Sequence, residues 1–364
     1  MTGTLHTGGR TPQRTGAQEL PVFTGWTFAE TAAWCAAQGW PGFRAAQLWD
    51  WVYRKNAADG ARMSNLSREM RAELSRRLVL MRTHVITTHT SSDRSEKRLI
   101  GLPDGEAVES VWIPMGAHAT VCVSTQVGCP IRCAFCASGS EGYTRNLAAG
   151  EIVEQVLHAQ HAHARAAVNN VVFMGMGEPL LNYDQFIRAV AILNDEHGMH
   201  IGARRMTVST TGVIPGIRQL AHDAPQMNLA ISLHATHDAL RRRLIAHCPS
   251  TIFDLMRALE AYHRATGRDI TFEYVLLAYV NDSQRDAQQL AALAHRVPSK
   301  VNVIPYNPVF SNEFQAPTED QTAQFLRQLE HNQVHALVRR RKGVDINAAC
   351  GQLRRLRGAA ATSG

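Results

Sequence analysis

From residue 119 onward the chain alternates between strand-like and helix-like patterns six times, and no other feature of its 364 residues limits the fold as strongly. The segments "ATVCVSTQV", "NNVVFMG", "RMTVSTTG", "NLAISLHA", "ITFEYVLL" and "KVNVIPYNP" are rich in β-branched and apolar residues, as strands covered on both faces must be. Between them lie stretches such as "AGEIVEQVLHAQHAHA", "NYDQFIRAVAILNDEHG", "TIFDLMRALEAYHRATG" and "SQRDAQQLAALAHRV", whose apolar residues recur at helical spacing. Repeated β/α units of this kind imply a parallel sheet with right-handed crossovers. Six units fall short of the eight of a closed barrel, so an α/β fold with an open, partial (β/α)6 barrel is expected over 119–343.

The rest of the chain divides around that array. Residues 1–19 are small, polar and Gly/Thr-rich and read as a disordered lead-in without the apolar core of a signal peptide. Over 20–85, "TFAETAAWCAAQGW", "GFRAAQLWDWVYRK" and "LSREMRAELSRRLVL" have helical periodicity, giving a small basic helical domain. The period changes to two over 86–118, with the turn "PDG" between "EKRLIGL" and "AVESVWIP", and a short β extension is expected there. Residues 344–364 form a C-terminal segment without clear periodicity. No apolar run approaches the length of a membrane helix, and a cytoplasmic location without membrane contact is expected. The net charge of +7 fits a polyanionic partner, nucleic acid foremost, although many arginine-rich proteins never touch RNA.

In β/α barrels, chemistry gathers in the loops after the C-terminal ends of the strands. The unusual residues of this chain fall there. Cys129, Cys133 and Cys136 follow the first strand, "GMGEP" (175–179) the second, "STTG" (209–212) the third, "SLHA" (232–235) the fourth and "PYNP" (305–308) the sixth. Scattered core residues would not favour one strand end, so one active site is expected.

Three cysteines in a C-x-x-x-C-x-x-C run point to one inorganic centre. Zinc wants four ligands, and no second close pair exists here. A four-iron cluster held by three thiolates leaves one iron open to a substrate, and S-adenosylmethionine (SAM) offers an amine and a carboxylate to it. The run, with Phe135 before its last cysteine, resembles the radical SAM superfamily. The resemblance implies a 4Fe-4S cluster on Cys129, Cys133 and Cys136, and a SAM site including Gly177, Glu178, Ser209, Ser232, Leu233, His234 and Asn307. Taken singly, these are a tight turn and ordinary strand ends.

Two further cysteines, Cys122 and Cys350, would otherwise read as small buried residues, the reading kept for Cys35 and Cys248. Yet "CVSTQVGC", "NNVVFMGMGEPLLN", "TVSTTGVIPGI", "LAISLHA" and "DINAACGQL", together with "GWPGFRAAQLWDWVY", resemble the RlmN/Cfr RNA adenine methyltransferases from about residue 20 to 357. That resemblance implies two SAM molecules per turnover and a methyl group placed on an aromatic carbon of adenine. It implies that Cys350 first takes a methyl from SAM and that an adenosyl radical then activates that methyl. It also implies that Cys122 finally attacks the Cys350 sulfur, leaving a disulfide to be reduced. Glu109 falls where the family's proton acceptor lies; otherwise it is a glutamate on the solvated face of a strand.

The implied substrate is C2 of adenine in 23S rRNA and in tRNA, with an electron donor such as flavodoxin and a monomeric enzyme. The basic helical domain is the candidate RNA grip, with Arg204–Arg205, Arg241–Arg243, Arg339–Lys342 and Arg354, Arg355 and Arg357 adding positive charge. The motifs leave C8 methylation of the Cfr type open as the alternative. An activase acting on protein would leave Cys122 and Cys350 idle, and a zinc-containing RNA-binding protein would hold no iron.

Overall fold

The computed structural model describes residues 20–140, 142–163, 166–309, 313–339 and 342–353. The expected lead-in, Arg340, Arg341 and the arginines from Arg354 onward lie outside the described residues.

A ten-stranded sheet organises the molecule. Its first three strands, β1 (His84–Thr90), β2 (Glu96–Gly101) and β3 (Ala107–Met115), are antiparallel. β3 also pairs antiparallel with β4 (His118–Cys122). From there the sheet is parallel through β7 (Ala167–Phe173), β8 (Met206–Thr210), β9 (Asn228–Ser232), β10 (Ile270–Leu276), β11 (Ser299–Pro305) and β12 (Ala336–Val338). The short hairpin β5 (Gln126–Gly128) with β6 (Tyr143–Asn146) stands apart. The sheet is open, with β1 and β12 at its edges.

Two expectations change. The first strand of the array stops at Cys122 rather than running on through "STQV", because Gln126–Gly128 leave the sheet to pair with β6. A seventh parallel strand, β12, adds to the six expected; at three residues it was too short to show a period. The β extension joins the barrel strands in one continuous sheet.

The helices follow from local chemistry. α1 (Phe28–Ala37), α2 (Phe43–Trp49) and α3 (Arg68–Arg77) form the N-terminal part. Thr27 caps α1 in a reciprocal box with Glu30. α4 (Ala137–Ser140) is a single turn, and α5 (Ala149–Ala162) and α6 (Tyr183–Asn194) cover the sheet. α7 (Ile214–Asp223), α8 (Asp238–Leu244), α9 (Ile252–Thr266), α10 (Gln284–Ala294) and α11 (Glu319–His331) complete the outer layer. α9 starts where Thr251 accepts from the Asp254 amide and stops at Gly267, whose φ of +65° few other residues tolerate. Between those caps it buries Leu255, Met256, Leu259 and Tyr262 against the sheet. Every residue of β10 is buried, as its apolar run required. Among the described residues no helix is long and apolar enough to cross a membrane.

The N-terminal helices are fastened to the barrel by polar contacts. Buried Glu154 on α5 accepts from the Thr83 amide at 2.7 Å and from the Thr24 and Thr83 hydroxyls. Arg188 on α6 donates from Nε to the Gly25 carbonyl at 2.7 Å, and His197 stacks on Phe28 with ring centroids 3.6 Å apart.

Candidate active site

The C-terminal ends of β7 to β11 surround one cavity, and the loops from those ends supply its polar walls. Cys129, Cys133 and Cys136 line it together with Gly177, Glu178, Ser209, Ser232, His234, Asn307 and Cys350. The shared rim expected from the strand ends is therefore present as one cavity.

The cysteine loop is held tightly. Gly128 has a φ of +75°, and a Cβ there would sit 1.8 Å from the Gly142 carbonyl oxygen. The loop then pairs with the chain after α8: Ala134 donates to the Leu244 carbonyl at 2.9 Å, and His247 to that of Ile131 at 3.0 Å. Burial pushes the Cys129 thiol up to about 12, and it raises Cys133 and Cys136 as well, with the neighbouring thiols adding to the effect at Cys133. Three such groups cannot share a dry cavity as thiolates without a compensating positive centre. Among the described residues, no three His, Cys, Asp or Glu side chains are grouped to hold a single metal ion. The donor set fits a multi-iron cluster with an open iron better than one zinc.

The remaining walls fit SAM. Asn307 is 4% exposed, and its Oδ1 has no hydrogen-bond partner among the described residues, so a buried acceptor waits for a donor. The Ser209 and Ser232 hydroxyls lie 3.2 Å apart. His234 accepts at Nδ1 from the Val275 amide at 3.1 Å, which leaves its proton on Nε2. Burial, with help from Arg241, pushes its pKa down to about 3, so the ring is neutral. Glu178 is buried and accepts at Oε2 from the amide and hydroxyl of Thr211, at 2.8 and 2.9 Å. Its pKa is raised by burial, against the pull of those donors.

The glycines of "GMGEP" pack closely against the chain after β4. A Cβ on Gly175 would lie 2.7 Å from the Val123 carbonyl oxygen, and one on Gly177 would lie 2.7 Å from the Gln126 Cβ. Both positions are kept free of a side chain by the chain from Val123 to Gln126 that packs against them. The Leu233 side chain is fully buried in the core and does not line the cavity. Only its backbone faces the site region, donating to the Glu273 carbonyl and accepting from Arg241 Nε.

Cys350 is exposed and borders a second cavity that it shares with Cys122, Val111 and Ile113. Its segment is laced to the cysteine loop: the Ala137 amide donates to the Gly351 carbonyl at 2.7 Å, and Ser138 Oγ to that of Leu353 at 2.6 Å. The Cys122 thiol is pushed up to about 12, first by burial and then by the nearness of Cys350, with Arg339 pulling the other way. Both cysteines are free.

Glu109 lines neither cavity. It projects from the same face of β3 as Val111 and Ile113, which border the second one. The solvated-face alternative is wrong: Glu109 is 1% exposed and ion-paired with Lys97 Nζ at 3.0 Å. Lys97 Nζ also donates to the Asn347 carbonyl in the Cys350 segment.

Arg339, expected among the RNA-gripping charges, and Glu273, which carried no signal in the sequence, line the main cavity and approach each other to 3.6 Å. Arg241, expected with Arg242 and Arg243 among the charges facing RNA, instead turns inward beside Cys248. Arg241 is fully buried, and its Nη1 donates to Cys248 Sγ at 2.8 Å. An arginine in an "RRR" run carries no signal of which one turns inward.

Known proteins show the same combination. Residues 123–291 match the Radical SAM superfamily, and residues 23–80 match the ribosomal RNA large subunit methyltransferase N-terminal domain. A protein of Thermosynechococcus vestitus named probable dual-specificity RNA methyltransferase RlmN is 46% identical over 336 residues, 92% of this chain and 98% of the relative. A Bacillus anthracis protein of the same name is 44% identical over 89% of this chain and 91% of its own length. The crystal structure of a radical SAM methyltransferase from Sphaerobacter thermophilus aligns with a TM-score of 0.89 at 42% identity, over 92% of this chain and 99% of that one. With identity of this order along nearly its whole length, the chain belongs to the RlmN family of radical SAM RNA methyltransferases.

Proposed function

We propose that this enzyme methylates C2 of adenine in 23S rRNA and in tRNA, using Cys350 as the methyl carrier. The observation that carries the proposal is the position of Cys350, which borders one cavity with the three loop cysteines and a second with Cys122. Relatives named as dual-specificity RNA methyltransferases support the pair of substrates.

Cys129, Cys133 and Cys136 would hold the cluster, and Asn307, Ser209, Ser232, His234 and the Gly177–Glu178 backbone would hold SAM. When bound, these groups supply methyl transfer and a 5′-deoxyadenosyl radical. The chain's own residues do the rest. Cys350 accepts the methyl at Sγ, from a segment pinned by Asn307, Ala137 and Ser138. Cys122 Sγ attacks Cys350 Sγ once the base is attached: an S–S bond forms, the S–C bond breaks, and its electron pair stays on the carbon, which takes up the proton that Glu109 removed from C2 to become the methyl group. Arg339, bordering both cavities, favours the thiolate that this attack needs. Glu109, ion-paired with Lys97 and on the face of β3 that carries Val111 and Ile113, takes the C2 proton. The N-terminal helices, with Arg204 and Arg205, grip the RNA backbone, with the base splayed out to reach the site. A flavodoxin-class donor supplies the electrons, and the enzyme acts as a monomer in the cytoplasm.

Nucleoside analysis of rRNA and tRNA from a host lacking the modification, with and without this protein, tests the proposal. 2-Methyladenosine in both RNAs is expected. The 8-methyl isomer would replace the target carbon while keeping the cysteine roles, and the absence of both from an iron-loaded, reduced enzyme would overturn the reading.

A further inference from the structure

The cysteine loop has one outward face, and it is basic. Residues 131–134 run antiparallel to 244–247, joined by the Ala134–Leu244 and His247–Ile131 hydrogen bonds and by a Cys133–Ile245 bridge. Paired backbones of this kind lie about 5 Å apart. Arg132, Arg242, Arg243 and His247 all emerge exposed from these two segments or the turn of α8 beside them. Elsewhere the loop is covered: the Ala137 and Ser138 side of it is bound to Gly351 and Leu353 of the Cys350 segment.

Arg132 has a φ of +56°, in the left-handed region that residues with a Cβ rarely adopt, and its guanidinium has no partner among the described residues. Arg242 likewise has none. Arg243 has Glu313 at 3.6 Å, with both side chains more than half exposed, a pair that contributes little. His247 is anchored through Nδ1 to the Pro130 carbonyl at 2.6 Å. The other acid on these elements, Asp238, is committed to the Ile252 amide. The surface therefore keeps a net positive charge directly over a cluster ligand, Cys133.

We propose that this face, built from Arg132, Arg242, Arg243 and His247, is the docking site of the reductant, an acidic one-electron carrier of the flavodoxin class; the proposal rests on the cluster assignment above. Electron transfer falls steeply with distance, so a protein donor must sit against the ligand loop, and this is the loop's exposed face. RNA is the less suitable occupant, because the target base must reach Cys350 and Cys122, and none of the four basic residues lines either cavity. One electron passes from the flavin hydroquinone, leaving it a semiquinone, to the cluster, and no atoms are transferred. Charge complementarity of this kind acts mainly on the encounter rate and its salt dependence.

The test compares wild type with R242E/R243E and with R132Q, as reconstituted full-length protein under anaerobic conditions. Cluster reduction is followed by bleaching of its visible absorbance with flavodoxin hydroquinone, and separately with dithionite; RNA affinity is measured in parallel. In R242E/R243E the flavodoxin rate should fall about tenfold or more and lose its salt dependence. R132Q should show a smaller loss in the same direction, with dithionite reduction and RNA affinity unchanged. An unchanged flavodoxin rate in R242E/R243E overturns the proposal. So does a loss of RNA affinity at an unchanged flavodoxin rate, which would make the face an RNA contact. Failure of the wild type to form methyladenosine with dithionite as reductant would instead overturn the functional reading.

Discussion

The Asn307 side chain donates from Nδ2 to the carbonyl oxygen of Cys350 at 3.2 Å, while its Oδ1 is buried without a partner. One amide thus touches the residue proposed to carry the methyl and presents an acceptor to the cavity where SAM is proposed to bind. Asn307→Ala removes both contacts and loosens the Cys350 residue itself, though Ala137 and Ser138 still hold the residues after it. Losing a buried hydrogen bond of this kind costs about 1 kcal/mol or somewhat more. Methylation of Cys350, read by intact-protein mass spectrometry after incubation with SAM, should slow roughly tenfold. Full-rate methylation would remove Asn307 from the site.

The two mechanistic cysteines should fail in different ways. Cys350→Ala should abolish RNA methylation while the cluster still cleaves SAM to 5′-deoxyadenosine. Cys122→Ala should accumulate RNA joined covalently to the protein, seen as a nuclease-sensitive shift on a denaturing gel. Free, methylated RNA released at the normal rate by Cys122→Ala would eliminate its resolving role.

The parallel array was legible because strands covered on both faces must be apolar throughout, as β10 is. The common rim was legible because every strand end in such an array points the same way. What escaped was set by tertiary packing. Arg241 turns inward while Arg242 and Arg243 stay in solvent, and the periodicity of a seven-residue helix cannot tell them apart. Glu109 looked like the polar half of an alternating strand, yet the Lys97 on the neighbouring strand lets it be buried. Leu233 shares a motif with two cavity residues but points into the core, as alternation along a strand end requires.

Gly128 tests how tightly the cysteine loop is built. A methyl group there would meet the Gly142 carbonyl oxygen at 1.8 Å, on a backbone already at positive φ. Gly142 has similar φ but open space around its Cβ direction. Gly128→Ala should therefore lose most of its iron on reconstitution, whereas Gly142→Ala should keep most of it. Equal iron contents, by colorimetric assay, would contradict the packing described here.

Acid stability should report on His158. Burial pushes its pKa down to about 4 from an ordinary 6.5, and Thr83 Oγ1 lies 2.9 Å from its Nε2. Because the folded pKa is the lower one, the unfolded chain binds the extra proton. Stability from this group is complete above pH 6.5 and is lost as the pH falls toward 4. With its partial exposure to solvent allowed for, the loss is on the order of 2 kcal/mol. Urea midpoints measured from pH 7 to pH 4.5 should fall less steeply in His158→Gln than in wild type. Parallel curves would mean that the histidine is not held neutral.

Arg241 is the strongest candidate for a residue that shapes the SAM site without touching the ligand. Its Nε donates to the Leu233 carbonyl, Nη1 to Cys248 Sγ and the Ser250 carbonyl, and Nη2 to the carbonyls of Thr211 and Ser232. All the N–H donors of the guanidinium are therefore used. They tie the loop after β8 to the loop after β9 and to the chain entering α9, and Thr211 in turn holds the Glu178 carboxylate. A lysine keeps the charge but has fewer donors and no planar fork, so it cannot hold these loops together. Arg241→Lys should weaken SAM binding roughly tenfold, with a smaller change in the rate of SAM cleavage at saturation. Cys248→Ala, which removes one acceptor and leaves the carbonyls in place, should weaken binding by a lesser factor. Equilibrium dialysis with SAM on the cluster-loaded protein distinguishes the two variants, and a wild-type affinity in Arg241→Lys would show that the loops hold their shape without the fork.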